Sequence, residues 1–226
     1  MNLLIIRADD SIKDLCRLTL PGIRSYADKI GADFRILNSE PIILTGDGHP
    51  HYRIMDLYNL LEEYDRCICF DADMLVLPTC PNLFSVVPIQ SIGTIYEDKG
   101  SRTLERLRRI RDIQNLYGYV SWNAGYINTG CFVVSKEHRV IFQPINGKEY
   151  YTGEGSDDVH LGWQIHKQGF KIHELEYKFN HMTMFSEAWS GHNRFDSYII
   201  HYAGKGVFDA ECKNKLEQIK KDILMM

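Results

Sequence analysis

The chain has 226 residues, 44% of them hydrophobic, enough to bury the core of one large domain. Its formal net charge of −4 gives no reason to expect nucleic acid as a partner. No apolar stretch approaches a membrane span, and the opening Met1-Asn2-Leu3-Leu4-Ile5-Ile6-Arg7 is too soon charged for a signal peptide, so the expectation is a soluble, cytoplasmic protein.

Leu3 to Ile6 predicts a buried strand, followed by the polar turn Arg7-Ala8-Asp9-Asp10-Ser11. Ile12, Leu15, Cys16, Ile23, Tyr26 and Ile30 recur at helical spacing. Pro21 is expected to break that helix or start a second one, and Gly31 to stop it. Asp33 to Leu37 reads as the next strand, so the chain opens β-α-β. A Gly- and Pro-rich loop from Pro41 to Pro50 precedes a helix from about Tyr52 to Tyr64.

The next segment, Arg66-Cys67-Ile68-Cys69-Phe70-Asp71-Ala72-Asp73-Met74-Leu75-Val76-Leu77, is the most informative. An apolar run ends in two carboxylates one residue apart, and apolar residues then resume. If the strand stays extended, its period of two sends Asp71 and Asp73 in roughly one direction. Two converging hard oxygen donors suit Mg²⁺ or Mn²⁺, with positions left open for phosphate oxygens. The apolar flanks favour a buried strand over a solvated turn.

Further strands are expected at Ser91–Tyr96, Cys131–Val134, Lys171–Leu175 and Tyr198–Tyr202. Helices are expected at Arg102–Leu116, at Asp157–Gln168 before Gly169, and at Leu216–Leu224. The alternation predicts an open α/β sheet with helices on both faces, in which ligands sit at the carboxyl ends of strands. Arg7-Ala8-Asp9-Asp10, Asp71-Ala72-Asp73 and His201 all fall at such ends, which points to a common cleft. Cys16, Cys67, Cys69, Cys80, Cys131 and Cys212 lack zinc-site spacing and read as small buried hydrophobes with free thiols.

Four ordered blocks resemble the GT-A glycosyltransferases, above all the glycogenin-like family 8 group. They are the strand–turn opening with Asp9-Asp10; the run from Tyr52-Arg53-Ile54 through Asp71-Ala72-Asp73; Asn128-Thr129-Gly130-Cys131 with the later Gly155-Ser156-Asp157-Asp158; and Ile200-His201-Tyr202-Ala203-Gly204-Lys205. The resemblance implies a single GT-A (Rossmann-like) domain over residues 1–226, with a mixed, mostly parallel sheet flanked by helices. Residues 1–77 would form the nucleotide-binding half and 78–226 the acceptor and sugar half. Two departures stand out. Family members place a lysine six positions after the His, then Pro-Trp; here Val207 stands there, and Lys205 would supply the cation instead. Where the family often has Asp-Gln, this chain has Asp157-Asp158.

By the same resemblance, Asp71, Asp73 and His201 would ligate Mn²⁺ or Mg²⁺, and Asp9, Asp10, Arg53, Ala72, Gly204 and Lys205 would surround the nucleotide. Asn128, Asp157 and Asp158 would lie nearest the transferred sugar, one acid acting as nucleophile or general base, or shielding an oxocarbenium-like state. Plainer alternatives stay open: Asp9 or Asp10 and Asp157 as helix caps, Arg53 and Lys205 as surface charges. Trp122, Trp163 and Trp189 could stack on sugars, with Trp163 better suited to the core and Trp189 to the acceptor side. The expected activity is metal-dependent transfer of a sugar from a nucleotide-diphosphate sugar, a UDP-sugar by resemblance, to a glycan or protein hydroxyl, with retention of configuration by resemblance and inversion left open by Asp158 as a general base. The alternatives are a sugar-nucleotide pyrophosphorylase, disfavoured by the lack of a Gly-rich basic loop after the first strand, and a non-catalytic nucleotide- or carbohydrate-binding domain.

Overall fold

Leu3, Leu4, Ile5 and Ile6 are fully buried, as an unbroken apolar run must be when its strand has neighbours on both sides and cover on both faces. The computed structural model describes residues 1–42, 49–183 and 191–226. Its strands are β1 (Asn2–Arg7), β2 (Asp33–Leu37), β3 (Arg66–Asp71), β4 (Met74–Val76), β5 (Ser91–Thr94), β6 (Cys131–Ser135), β7 (Lys171–Glu174), β8 (His181–Met182) and β9 (Ile199–His201). The α-helices are α1 (Lys13–Ile30), α2 (Leu57–Glu63), α3 (Leu83–Val86), α4 (Thr103–Tyr117), α5 (Ser156–Gln168) and α6 (Lys215–Met225).

The main sheet has the order β2-β1-β3-β6-β5-β7. β2 and β3 pair parallel with β1, β6 runs antiparallel to both β3 and β5, and β7 is parallel to β5. Only β6 is therefore reversed within this sheet, which is mixed and mostly parallel. Side-chain alternation divides its two faces. Leu4, Ile6, Ile68, Phe70 and Val133 pack with α1, β4 and β9, whereas Leu3, Ile5, Cys69, Phe132 and Val134 pack with α2 and α5. Each such aliphatic side chain contributes roughly 1.5–3 kcal/mol by leaving water. Trp122 and Trp163 lie in a third apolar cluster between α4 and α5, so both are core residues.

Three expectations need correction. Pro21 neither ends α1 nor starts a new helix; it sits inside one continuous element. The helix survives the lost N–H because Leu15, Cys16, Ile23, Tyr26, Ala27 and Ile30 bury one long face against the core, and tertiary packing outweighs the local penalty. The strand through Asp71 does not stay extended. Ala72 and Asp73 form a turn, Ala72 buried and Asp73 half-buried, and the chain leaves in β4 to join a second sheet of order β4-β9-β8. The Thr19 hydroxyl donates to the Ala72 carbonyl at 2.6 Å and the Tyr202 N–H to the Asp73 carbonyl at 2.9 Å, which satisfies the turn internally. Finally, the helix expected from Tyr52 is a 3₁₀ helix from His49 to Asp56 before α2 begins.

Cys16, Cys67, Cys69, Cys80 and Cys131 are buried free thiols, while Cys212 is free but half-buried. Gly31 ends α1 in the left-handed conformation at φ 66°, the position that favours glycine. Among the described residues, no helix is long and apolar enough to cross a membrane.

Candidate active site

The reversal of β6 brings its first residues to the carboxyl ends of β1 and β3. Phe70 lies opposite Cys131, Arg7 beside Asp71, and the Asp71 N–H donates to the Gly130 carbonyl at 2.9 Å. A cleft of about 510 Å³ opens along this edge. The start of α5, the turn at 72–73, His201 and Lys215 complete its walls.

Asp71, Asp73 and His201 each offer a donor atom within 4.8 Å of the others. His201 Nε2 lies 3.2 Å from Asp73 Oδ1 and 3.5 Å from Asp71 Oδ2. The outer oxygens are taken by cations: Arg7 bonds Asp71 Oδ1, and Lys215 Nζ lies 2.7 Å from Asp73 Oδ2. Each carboxylate thus turns one oxygen to a fixed cation and the other toward His201. Burial opposes charge on Asp73, yet His201 and Lys215 hold its carboxyl well below the usual range. Burial likewise disfavours a charged His201, but Asp73 and Asp71 outweigh it and raise its pKa.

The donor set fits a divalent cation. Two carboxylate oxygens and one imidazole nitrogen suit Mn²⁺, and the two oxygens also suit Mg²⁺. Gly130 leaves the space beside them open: a Cβ there would stand 2.7 Å from both Asp71 Oδ2 and His201 Cε1.

On the other side of Arg7, Asp157 accepts from Arg7 Nη1 at 2.6 Å and from the Thr129 hydroxyl at 2.7 Å. Asp158 Oδ1 accepts from the Thr129 N–H at 2.8 Å. Neither carboxyl caps α5, whose N-cap is Gly155 without a side-chain bond. Burial works against the charge of Asp157, but Arg7 and the Thr129 hydroxyl keep its pKa low. For Asp158, burial and then the neighbouring Asp157 and Glu97 push the pKa well up.

Asp9 fills the expected role of a helix cap and also pairs with Arg53. It accepts from the Ser11 N–H at 2.9 Å as a helix cap and from Arg53 Nη2 at 2.8 Å. The Ser11 hydroxyl and Arg53 lower its pKa. Arg53 is buried rather than a surface charge, and its Nε donates to the Ser39 carbonyl at 2.9 Å. Both line the cleft, as do Ala72, Asn128 and Gly204. Asp10 and Lys205 are exposed and do not line it. Trp189 lies outside the described residues.

Sequence reasoning placed Arg7 at the cleft without giving it a role, and missed Lys215, Gly130 as a spacer, and Asn180, which lies 2.7 Å from His201 Nδ1. Arg7 carried a usable signal, a cation ending the first buried strand. Lys215 carried none, being an ordinary residue at the head of an amphipathic helix.

No family model matches the chain, and no curated protein matches its sequence. Its structure is similar to that of a glycosyltransferase involved in glycosylation of the major capsid of PBCV-1, with 15% identity, TM-score 0.61, and 100% of this chain and 98% of that one covered. It is also similar to the galactosyltransferase LgtC in complex with donor and acceptor sugar analogs (14%, TM-score 0.65, 98% and 94%). A third similar structure is the apo-form glycosyltransferase GlyE of Streptococcus pneumoniae (13%, TM-score 0.56, 100% and 60%). At these identities the likeness establishes the fold, and the chain has the GT-A fold of these glycosyltransferases.

Proposed function

We propose that the protein is a metal-dependent glycosyltransferase that takes its sugar from a nucleotide diphosphate, a UDP-sugar in the preferred reading, and transfers it to a hydroxyl of a glycan or protein acceptor. The observation that carries this is the convergence of Asp71, Asp73 and His201 on one cleft at the carboxyl edge of a GT-A sheet. Asp71 Oδ2, Asp73 Oδ1 and His201 Nε2 would hold Mn²⁺ or Mg²⁺. Such an ion, when bound, supplies positive charge against the diphosphate that departs as the sugar–phosphate bond breaks.

The chain's own residues do the rest. Arg7 fixes the orientation of Asp71 and ties it to Asp157, so one guanidinium bridges the metal edge and the sugar wall. Lys215 adds an ammonium beside Asp73, the cation role that the sequence suggested for Lys205. Asp9 and Arg53 line the nucleotide side, where Arg53 can turn a donor toward phosphate or base. Asp157, held by Arg7 and Thr129, orients donor hydroxyls. Asp158 faces the anomeric centre, and its raised pKa suits a group that gives or takes a proton.

The test is a panel of nucleotide sugars with Mn²⁺, read by donor hydrolysis and transfer, on wild type and Asp73→Asn. Wild type should process one donor only with metal present, and Asp73→Asn should lose transfer while keeping its fold. Full activity of Asp73→Asn, or of wild type in excess chelator, would sink the metal-dependent reading. Retention of anomeric configuration in the product, read by NMR, is the expected stereochemistry.

A further inference from the structure

Five buried polar side chains from five segments join end to end, with the ring of His201 as the last of them. Arg106 on α4 donates to one oxygen of Glu97, from Nε at 2.7 Å and from Nη2. The other Glu97 oxygen accepts from Asn128 Nδ2. Asn128 Oδ1 accepts from the Gly130 N–H at 2.9 Å and from Asn180 Nδ2 at 2.8 Å. Asn180 Oδ1 meets His201 Nδ1 at 2.7 Å. All five residues are 8% exposed or less, and Asn180, next to His201, is fully buried, so each group depends on its protein partner.

The polarity of this relay is fixed at its ends. A guanidinium only donates, and a carboxylate has no proton to give, so Glu97 must accept from both sides. A backbone N–H only donates, so the Asn128 atom facing Gly130 must be oxygen. Asn128 therefore has one amide orientation, and Asn180 must turn its nitrogen to the Asn128 oxygen. The Asn180 oxygen is then what His201 Nδ1 meets, and Nδ1 must carry a proton. In a neutral imidazole this leaves the lone pair on Nε2, the nitrogen turned to Asp71 and Asp73. Amide and imidazole assignments that are ordinarily ambiguous are here forced by their neighbours.

We infer that Glu97, Asn128 and Asn180 form a positioning relay, anchored by Arg106, that locks neutral His201 in the Nδ1–H tautomer and presents Nε2 to a divalent cation. The inference rests on the metal reading proposed above. It also narrows the part Asn128 can play toward a sugar. Both lone pairs of Oδ1 and one N–H are used inside the relay, which leaves a single donor for the cleft.

The test uses the intact, metal-free chain with Mn²⁺ alone as probe, free ion being counted by EPR. Asn180→Ala and Glu97→Gln should each weaken Mn²⁺ binding by about 10- to 100-fold, the usual effect of losing an outer-shell partner. Glu97→Gln keeps the shape but puts N–H where Arg106 or Asn128 needs an acceptor. A purely structural role would lower the melting temperature and leave the affinity of the folded protein unchanged. A second readout needs no relay variant: ¹⁵N-histidine NMR of wild type, with the His201 signals identified by their loss in His201→Asn. The neutral ring should carry its proton on Nδ1. Protonation on Nε2, or folded variants that bind Mn²⁺ like wild type, would overturn the relay. Wild type that binds no Mn²⁺ would overturn the metal reading instead, and the tautomer would still decide the relay.

Discussion

Replacing Asp158 by asparagine should make the protein more stable at neutral pH and less active. Around Asn128 and Thr129 the fold gathers three carboxyl groups, those of Glu97, Asp157 and Asp158. Arg106 pairs with Glu97 and Arg7 with Asp157. Among the described residues no cation pairs with Asp158, which accepts from the Thr129 N–H at 2.8 Å. Burial, then Asp157 and Glu97, raise its pKa, so the ionised form is an unmatched charge. Asparagine keeps the size and the acceptor and removes the charge. Each unit of pKa elevation is worth about 1.4 kcal/mol, and the expected gain is on the order of 1–3 kcal/mol, the scale of an unmatched buried polar group.

The sign follows from linkage. A carboxyl with a raised folded-state pKa carries no penalty below its unfolded value, about 3.9 for Asp, and the penalty grows as pH rises through the folded value. The stability difference between Asp158→Asn and wild type should therefore be small near about pH 4 and clearly positive near about pH 8. Urea unfolding of both proteins at the two pH values measures it. Equal or lower stability of the variant near about pH 8 would refute this charge count. In the same variant, turnover should fall at least about a hundredfold with UDP affinity little changed if the carboxyl takes part in the chemistry. Inversion together with that loss would make Asp158 the general base, whereas retention would exclude that role.

Gly130→Ala should weaken Mn²⁺ binding at least about tenfold, because its Cβ would press on Asp71 Oδ2 and His201 Cε1, each 2.7 Å away; calorimetric titration with unchanged affinity would show that the donors can move aside. Arg53→Ala should weaken UDP binding by about 1–3 kcal/mol if Arg53 makes a charge-assisted phosphate bond, and an unaltered UDP titration would remove it from the nucleotide site.

Much of the fold was legible in the chain because it depends on neighbours in sequence. The apolar run of β1, the helical spacing of α1 and the stop at Gly31 are local properties, and the structure reproduces them. Asp71 and Asp73 stood out for the same reason, as carboxylates interrupting a buried run. Even local rules lost where packing opposed them, as Pro21 inside α1 shows. The turn at Ala72 and Asp73 was hidden because its bonds come from Thr19 and Tyr202, far away in sequence. The site's remaining parts are products of tertiary structure alone. Arg7 meets Asp157 across 150 positions and Lys215 meets Asp73 across 142. Periodicity reports which face of an element is buried, but not which strand lies beside it. That choice, and above all the reversal of β6 between β3 and β5, decides which polar groups share an edge, and so which side chains hold Asp71, Asp73 and His201 in place.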